Sequence, residues 1–251
     1  MGRVASGLQF FALGIMRPED LVELNRRFFV SAAKITSLTQ LAEFDLSEEE
    51  AAIMNQFAPS AGSVLILGSG QGREAIALAK RGWQVVGIEN VPDLIAMAKT
   101  NAAQAGVDIH WYCEDITHGI SLDRSFDLIC LCGQVYAYIP TGRMRVRLLA
   151  ACREHLKPQG LCLLGLPPVG PPPSAKKRWL HSWRLGLAWL LGGNRECQLG
   201  DHWLFGREFF HRFETLEELV QEVVAAGLSF KSSSDGIPER IAVLKPADTQ
   251  K

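Results

Sequence analysis

VLILGSGQG, residues 64–72, is the stretch of sequence that decides the fold. Four aliphatic residues favour a strand, three alternating glycines follow, and a helical pattern begins at the last glycine. Glycine lets the backbone turn sharply and lets a ligand approach more closely than a Cβ atom would permit. The stretch therefore predicts a strand, a ligand-binding turn and a helix in succession.

The spacing of the three glycines separates this loop from other nucleotide-binding loops. A dinucleotide fingerprint, GxGxxG, would need glycine at position 73, which is Arg73, and no Walker A ending follows. The pattern Gly68-x-Gly70-x-Gly72 leaves less room for a pyrophosphate at the helix N-terminus. We expect the loop to hold the carboxylate or amino end of a ligand.

Strand-like and helix-like segments alternate through residues 63–166, which is the pattern of βαβ units. Several of the strand-like segments are apolar on both faces, as is typical of parallel strands covered by helices on both sides. The predicted fold class is α/β, with a doubly wound, mostly parallel sheet. The predicted strands are residues 64–67, 84–88, 109–113, 126–131 and 161–166, and the predicted helices are residues 72–81, 92–105 and 141–156. We expect the arginines of the last helix, at 143, 145, 147 and 153, on a solvated face.

Two carboxylates follow the next two strands, where a nucleoside ligand would need them. Glu89 ends the strand after the glycine loop, about 20 residues on, where a carboxylate accepts hydrogen bonds from ribose hydroxyls. Asp115 follows the third strand, where it can accept a hydrogen bond from an adenine amine while Ile116 offers its amide. The alternatives are a surface acid at a strand end for Glu89 and a helix cap for Asp115.

Four segments in order carry a resemblance to a known family. They are VLILGSGQGREAIALAKRGWQVVGIENVPDLIAMAKTNA, CEDI, FDLICLCGQVYAYIP and HLKPQG. They resemble the class I S-adenosylmethionine-dependent methyltransferases. The resemblance implies a transferase with S-adenosyl-L-methionine as cofactor and a Rossmann-like sheet of seven strands, of which the last is antiparallel.

The resemblance also implies a role for individual residues. Those that would contact the methionine part of the cofactor are Gly68, Ser69, Gly70, Gly72 and Cys132. Glu89 would bind the ribose, Asn90 the adenine face, and Asp115 with Ile116 the adenine edge. Gln134 and Tyr136 would lie beside the incoming substrate.

Two departures from the family pattern narrow the expectation. Many members carry an acid where this chain has Ile66, so its help in ordering the glycine loop is missing. The fourth strand lacks the (Asp/Asn)-Pro-Pro-(Tyr/Phe) motif of methyltransferases acting on DNA bases or amide nitrogens. The net charge of -1 gives no electrostatic case for nucleic acid either. We therefore expect a small-molecule acceptor and no nucleic acid partner.

Methyl transfer is an in-line displacement, so an enzyme mainly has to align the acceptor and exclude water. An oxygen acceptor must also lose a proton to a nearby base. The candidates for that role are Tyr136, Tyr138, His118, His202 and His211, and none has a spacing that singles it out. We predict Tyr138 and His202 as catalytic; the alternatives are a pocket-lining tyrosine and a structural histidine.

The pattern also predicts the domain organisation. Residues 1–57 are expected to form an N-terminal helical addition, helical throughout 18–57, with a capping box from Ser47 to Glu50. Residues 58–251 are expected to form the methyltransferase-like domain, which would end in a helix over 216–226 and a hairpin of 229–233 with 241–245 around the turn 236–238.

Prolines open an insertion at 167–201, in which Trp, Lys and Arg alternate with Leu. We expect it to form a lid over an apolar acceptor pocket. The alternative is an interfacial helix that contacts a membrane through residues 176–193.

The composition excludes several other classes. Hydrophobic residues make up 47% and charged residues 21%, close to the globular average, and no apolar run approaches the roughly 18 residues that span a bilayer. The six cysteines form no CxxC pair and no zinc spacing, which predicts reduced core thiols, no metal site and a cytoplasmic protein.

The sequence therefore predicts a methyltransferase that acts on a small, hydrophobic acceptor. Two alternatives stay open: a methyltransferase acting on a protein or lipid at a membrane surface, and a non-catalytic nucleoside-binding scaffold. The acceptor atom and the oligomeric state are not predicted.

Overall fold

The computed structural model describes residues 2–36, 44–166, 169–170, 172–204, 207–231 and 240–247. The helices are α1 (Gly2–Ile15), α2 (Pro18–Thr36), α3 (Glu48–Phe57), α4 (Arg73–Lys80), α5 (Pro92–Gln104), α6 (Gly142–Glu154), α7 (Ala175–Leu191) and α8 (Leu216–Ala225). The strands are β1 (Ser63–Leu67), β2 (Gln84–Glu89), β3 (His110–Cys113), β4 (Phe126–Leu131), β5 (Leu156–Gly165), β6 (Asp201–Leu204), β7 (Glu208–His211), β8 (Leu228–Phe230) and β9 (Ile241–Pro246).

Seven strands form one sheet in the order β3-β2-β1-β4-β5-β9-β8. The first five are parallel to one another, whereas β9 pairs antiparallel with both β5 and β8. This confirms the predicted α/β class, the seven-stranded sheet and its antiparallel last strand. The predicted pairing of the last two segments is also confirmed, while the turn expected at 236–238 lies outside the described residues.

Alternate residues of the central strands enter two different apolar cores, one on each face of the sheet. Leu65 and Leu67 of β1 belong to the core that α6 and α8 cover. Val64 and Ile66 belong to the core on the other face, which includes residues of α3 and α4. Because both faces are covered, β1 is buried along its whole length, as its continuous aliphatic run predicts.

Local signals place the helices around the sheet. The predicted capping box is present, since Ser47 Oγ accepts from the Glu50 amide and the Glu50 side chain accepts from the Ser47 amide. Thr141 caps α6, and Pro92 occupies the first turn of α5. The expectation of a helix throughout 18–57 is wrong at residues 44–47, which are not helical.

In helix α6, Arg143, Arg147 and Arg153 are exposed as expected, but the expectation is wrong for Arg145. Arg145 is fully buried, and its guanidinium donates to both oxygens of Glu222, at 2.6 and 2.9 Å. The Tyr136 hydroxyl donates to the same carboxylate at 2.6 Å. A buried charge needs such a partner, and here the partner lies 77 residues further along the chain.

Helix α7 and the β6–β7 hairpin form a layer outside the main sheet, against helix α1. The Asn194 amide, just after α7, donates to the Gly14 carbonyl of α1 at 2.9 Å. Strands β6 and β7 pair only with each other, and the sequence did not predict them. Among the described residues, no helix is long and apolar enough to cross a membrane.

Candidate cofactor-binding site

A cavity of about 1060 Å³ opens at the carboxyl ends of β1, β2 and β4. Its walls come from the loops that follow these strands, from the loop after β3 and from helices α2 and α5. The chain proceeds from β1 outward through β2 and β3 and then returns to β4 on the other side of β1. Ligands of open α/β sheets bind at such a reversal of strand order, so the cavity lies where the fold favours a site.

Glycine occupies the three positions of the loop after β1 for different structural reasons. All three have positive φ, at 67° for Gly68, 54° for Gly70 and 91° for Gly72, which side chains rarely tolerate. A Cβ atom on Gly70 would meet nothing within 4 Å, so this residue faces open space in the cavity. A Cβ atom on Gly72 would meet the Trp111 ring at 2.9 Å, and Gly72 does not line the cavity. Gly72 therefore serves packing.

Glu89 holds the glycine loop through backbone amides. Its carboxylate accepts hydrogen bonds from the amides of Gly70 at 3.0 Å, Asn90 at 2.8 Å and Val91 at 3.1 Å. Burial raises the pKa of Glu89, and these three hydrogen bonds offset part of that effect. Because the oxygen that accepts from Gly70 has a second lone pair, Glu89 can also accept from a ligand in the cavity.

Ser69 provides an unused polar group at the same place. Its side chain lines the cavity, is 3% exposed, and its buried hydroxyl has no hydrogen-bond partner among the described residues. Buried polar groups are nearly always paired, so this hydroxyl fits a polar ligand group. The open space at Gly70 leaves room for a ligand beside the loop.

Asp115 combines the two roles that its position allowed. One carboxylate oxygen accepts from the amide and hydroxyl of Thr117, at 2.9 and 2.8 Å, and so caps the short 3-10 helix Ile116–His118. Asp115 and Ile116 both line the cavity, as does Asn90. The second carboxylate oxygen of Asp115, 3.8 Å from His118 Nε2, is the one left for a ligand.

The residues predicted at the end of β4 divide into two groups. Cys132, Gln134 and Tyr138 line the cavity. Tyr136 does not, because it is fully buried in the core with its hydroxyl on Glu222. The structure therefore does not bring Tyr136 to a substrate.

His202 is also placed away from the cavity, in strand β6. Burial, aided by the charges of Lys177 and Arg212, lowers the pKa of His202 to about 4. The ring is neutral at neutral pH, and its Nε2 is buried without a partner among the described residues. The geometry gives the predicted catalytic His202 no path to a ligand in this cavity.

Tyr138 is paired with a residue that the sequence analysis missed. Burial, together with the hydrogen-bonded carboxylate of Glu208, raises the pKa of Tyr138 to about 12. Glu208 is 6% exposed, burial raises its pKa, and its Oε2 has no partner among the described residues. The Tyr138 ring packs edge-on against Phe29 and Phe210. No local pattern could have revealed Glu208, since it reaches Tyr138 only through the β6–β7 hairpin.

Helix α2 forms one wall of the cavity, through Val22, Asn25, Arg26 and Phe29. The Asn25 side chain donates to the Tyr138 carbonyl at 3.0 Å and accepts from the Phe209 amide at 2.7 Å. None of the described residues of the 167–201 segment lines the cavity. Helix α2 therefore lines the cavity in this structure, whereas the role of the 167–201 segment as a lid stays a prediction.

An acidic cluster at the cavity edge is already neutralised. Oxygens of Glu50 and Glu74 and the Cys132 sulfur lie within 4.8 Å of one another, close enough for a metal. The Arg73 guanidinium, however, donates to Glu50 at 2.8 Å and to Glu74 at 2.7 Å. Burial raises the pKa of Glu74, whereas for Glu50 the hydrogen bonds from Arg73 and Ser47 outweigh burial and lower it. Arg73 supplies the cation, so the cluster is an ion-pair network.

Comparison with known proteins agrees with this geometry. The family described as "Methyltransferase domain" matches residues 64–160, from β1 into β5. A ubiquinone biosynthesis O-methyltransferase of Coxiella burnetii is 33% identical over 97 residues, which are 39% of this chain and 40% of that protein. A 23S rRNA uracil-C5-methyltransferase of Shewanella amazonensis is 43% identical over 61 residues, which are 24% of this chain and 14% of that protein. The chain thus spans less than half of these two relatives.

Solved structures extend the similarity beyond the matched segment. The 1,6-didemethyltoxoflavin-N1-methyltransferase of Burkholderia thailandensis, which contains bound 1,6-didemethyltoxoflavin and S-adenosylhomocysteine, superposes with a TM-score of 0.63 at 16% identity. The superposition covers 92% of this chain and 91% of that one. At this identity the likeness shows the fold. Together the comparisons confirm the predicted resemblance to class I S-adenosylmethionine-dependent methyltransferases.

Proposed function

Because residues 64–160 form a methyltransferase domain, we propose that this chain is an enzyme that transfers the methyl group of S-adenosyl-L-methionine to a small, hydrophobic acceptor. The observation that carries the proposal is the glycine loop itself. Gly70, with open space in front of it, and the residues Ser69 and Glu89 all line one cavity. The cavity volume is at the upper end of the roughly 300–1,000 Å³ usual for ligand sites, which leaves room for an acceptor beside the cofactor.

The proposal assigns the cofactor residue by residue. Gly68, Ser69, Gly70 and Cys132 hold the methionine part, Glu89 the ribose hydroxyls, Asn90 the adenine face, and Asp115 with Ile116 the adenine edge. Gly72 acts indirectly, by letting the loop pack against Trp111. Gln134, which also lines the cavity, stays the proposed substrate contact at the end of β4.

The acceptor lies, in this proposal, between helix α2 and the end of β4. Val22, Phe29 and Ile139 give this part of the cavity an apolar wall. When bound, S-adenosyl-L-methionine supplies an electrophilic methyl group on a positively charged sulfur. The contribution of the apolar wall is to align the acceptor and to keep water away from that group.

Tyr138 and Glu208 are proposed to remove the acceptor proton. With a pKa of about 12, Tyr138 is a neutral phenol at neutral pH and cannot itself be the base. It can, however, take the proton of an acceptor hydroxyl at its oxygen while its own proton passes to Glu208. Glu208 ends as a neutral carboxylic acid, which burial favours. The O-methyl transfer in the name of the Coxiella relative supports an oxygen acceptor.

The domain organisation is part of the proposal. Residues 1–57 are a helical addition that completes the acceptor side through α2, and residues 58–251 are the methyltransferase-like domain with the insertion at 167–201. The wall that Val22, Asn25 and Phe29 supply supports this division, because the sheet domain alone would leave the cavity open on that side.

Two measurements test the function. Calorimetry with S-adenosyl-L-methionine and S-adenosylhomocysteine should detect binding to the full chain; absence of binding would overturn the proposal. Transfer of a labelled methyl group to a panel of hydroxylated aromatic compounds should then identify an acceptor. Cofactor binding without transfer to any acceptor would instead favour the non-catalytic scaffold.

A further inference from the structure

Helix α7 carries a row of large apolar side chains that face solvent. Trp179, Trp183 and Leu190 are 59%, 61% and 80% exposed. Their spacing, i, i+4 and i+11, places them on one face of the helix, and Trp179 packs edge-on against Trp183. Tryptophans are usually well buried in soluble domains, so this row marks an interaction surface.

The exposed row does not arise from a misplaced helix. On the opposite face of α7, Arg184 and Ala188 are fully buried. The helix begins at the side-chain cap of Ser174 and ends at Gly192 in the left-handed conformation. Because the helix is capped at both ends and packs on the protein through one face, its other face is exposed to solvent.

Neighbouring residues enlarge the apolar surface. Trp189 and Leu191, at the end of α7, are 69% and 56% exposed. Helix α1, which packs against α7, adds Leu8 and Ile15, which are seven residues or about two turns apart and 69% and 43% exposed. We call the exposed residues of α7, namely Trp179, Trp183, Trp189, Leu190 and Leu191, the tryptophan face.

The charged side chains of α7 itself are all positive, and the nearby acids Glu196 and Glu214 are paired with Arg143 and Lys177. Residues 155–195 contain no Asp or Glu. Lys176 and Arg178 are exposed at the start of α7, and Arg195 lies over the Trp189 ring at 4.7 Å. A surface that combines tryptophan and leucine with a basic border is complementary to anionic lipid headgroups above acyl chains.

We infer that the tryptophan face docks on the surface of an anionic lipid bilayer, with α7 lying in the plane of the interface. Tryptophan favours the boundary between headgroups and acyl chains, because its ring is apolar and its N–H is polar. The basic border selects anionic lipid. The inference does not depend on the proposed methyl transfer, since lipid binding can be measured without cofactor or acceptor.

The test uses the full chain and sedimented vesicles. The protein should bind vesicles of phosphatidylcholine mixed with phosphatidylglycerol, bind weakly to phosphatidylcholine alone, and dissociate as salt is raised. A triple variant, Trp179→Ser, Trp183→Ser and Leu190→Ser, should lose at least about tenfold in vesicle affinity. The matched control is Val224→Ser, since Val224 of α8 is 62% exposed but lies outside the face.

A second measurement does not require a variant. Three of the six tryptophans, Trp179, Trp183 and Trp189, lie on the tryptophan face. Phosphatidylglycerol brominated on its acyl chains should therefore quench a large part of the fluorescence of the unmodified protein. Circular dichroism and the thermal unfolding midpoint of the triple variant show whether it is folded, which keeps this test separate from the proposed function.

Three results would overturn the inference. The unmodified protein could fail to bind anionic vesicles, the triple variant could bind them as well as the unmodified protein does, or brominated lipid could leave the fluorescence unchanged. Sedimentation velocity tests the alternative that the tryptophan face binds a second copy of this chain. In that case the unmodified protein would be a dimer, the triple variant a monomer, and neither would bind vesicles.

Discussion

The two ends of the cavity are built in different ways. The proposed cofactor end is built mainly from backbone amides and short loops. Glu89 accepts hydrogen bonds from three amides, one 19 residues away and two in the residues that directly follow it. At the acceptor end, Tyr138, Glu208 and Asn25 meet from three distant parts of the chain. The part of the proposed cofactor end from the glycine loop to Glu89 is therefore a property of one βαβ unit, whereas the proposed acceptor end depends on how the added layers pack.

The largest effect is expected from Gly70→Val, which breaks the cofactor end alone. At φ 54° the new side chain is strained, and it fills the open space in front of the loop. Cofactor binding should fall below detection in calorimetry. The control is Gly82→Val, where φ is also positive, at 86°, and a Cβ meets nothing within 4 Å, outside the cavity. Retained affinity in Gly70→Val would place the cofactor elsewhere.

The next effect tests the acceptor end through Glu208→Gln. Without an acceptor for the Tyr138 proton, kcat should fall about 10²- to 10⁴-fold, the usual contribution of a positioned base, while cofactor affinity stays unchanged. Tyr138→Phe should cause a similar loss, and the double variant should be little worse than either, since the two residues act as one unit. If the losses of kcat in the two single variants added up in the double variant, Tyr138 and Glu208 would act independently.

Glu208 also predicts a pH dependence of turnover. Burial raises the pKa of Glu208, so its carboxylate becomes protonated at a higher pH than an ordinary glutamate, whose pKa is about 4.3. Turnover with a hydroxyl acceptor should fall as the pH drops through that raised value, because the protonated form accepts no proton. The pH–rate profile of Glu208→Gln should lack this acid limb; a limb that persists would belong to another group.

A smaller effect is expected from Glu89→Ala. Losing the hydrogen bonds to a charged group should weaken cofactor binding by about 1.5 to 3 kcal/mol in calorimetry. Asp93→Ala, which removes an exposed acid from the first turn of α5, is the control and should leave affinity unchanged. If both variants bound the cofactor with equal affinity, the assignment of Glu89 to the ribose would be wrong.

The smallest effect is expected from a substitution in helix α2, which tests whether the two ends of the cavity can be changed separately. Asn25→Ala leaves the buried Phe209 amide without a partner and should lower the free energy of unfolding by about 1 to 3 kcal/mol. Turnover should fall while cofactor affinity is retained, because the wall that moves belongs to the acceptor end. Arg27→Ala on the exposed side of α2, where the side chain is 77% exposed, is the matched control. A drop in cofactor affinity would show that the two ends are not separable.

This difference between the two ends also explains which parts of the fold and of the site could be predicted from the sequence. The loop from Gly68 to Gly72 and the acid at Glu89 were predictable, because a strand, a turn and a helix of short length fix their relative positions. Asn25 and Phe209 are 184 residues apart, and only the packed structure brings them together. The same holds for Arg145, whose spacing alone indicated a solvated face but whose partner, Glu222, lies on another helix.

The described part of the 167–201 segment does not line the cavity in this structure, so its role as a lid stays a prediction. Proline, tryptophan and lysine in residues 167–201 indicate an irregular start and an amphipathic helix, but they do not encode which side of that helix meets the protein. In the structure Arg184 and Ala188 of α7 face inward and the tryptophans face outward. The pattern predicted the helix and left its orientation open.

The hydrogen bond between Asn25 and the Phe209 amide has a consequence for biosynthesis. Because synthesis proceeds from the N-terminus, helix α2 leaves the ribosome long before strand β7 exists, and a contact between residues so far apart closes late in folding. The strands from β1 to β5 can pair earlier, since each parallel pair spans a shorter stretch of chain. A nascent chain thus forms the sheet and its glycine loop before helix α2 is fixed as a wall of the cavity.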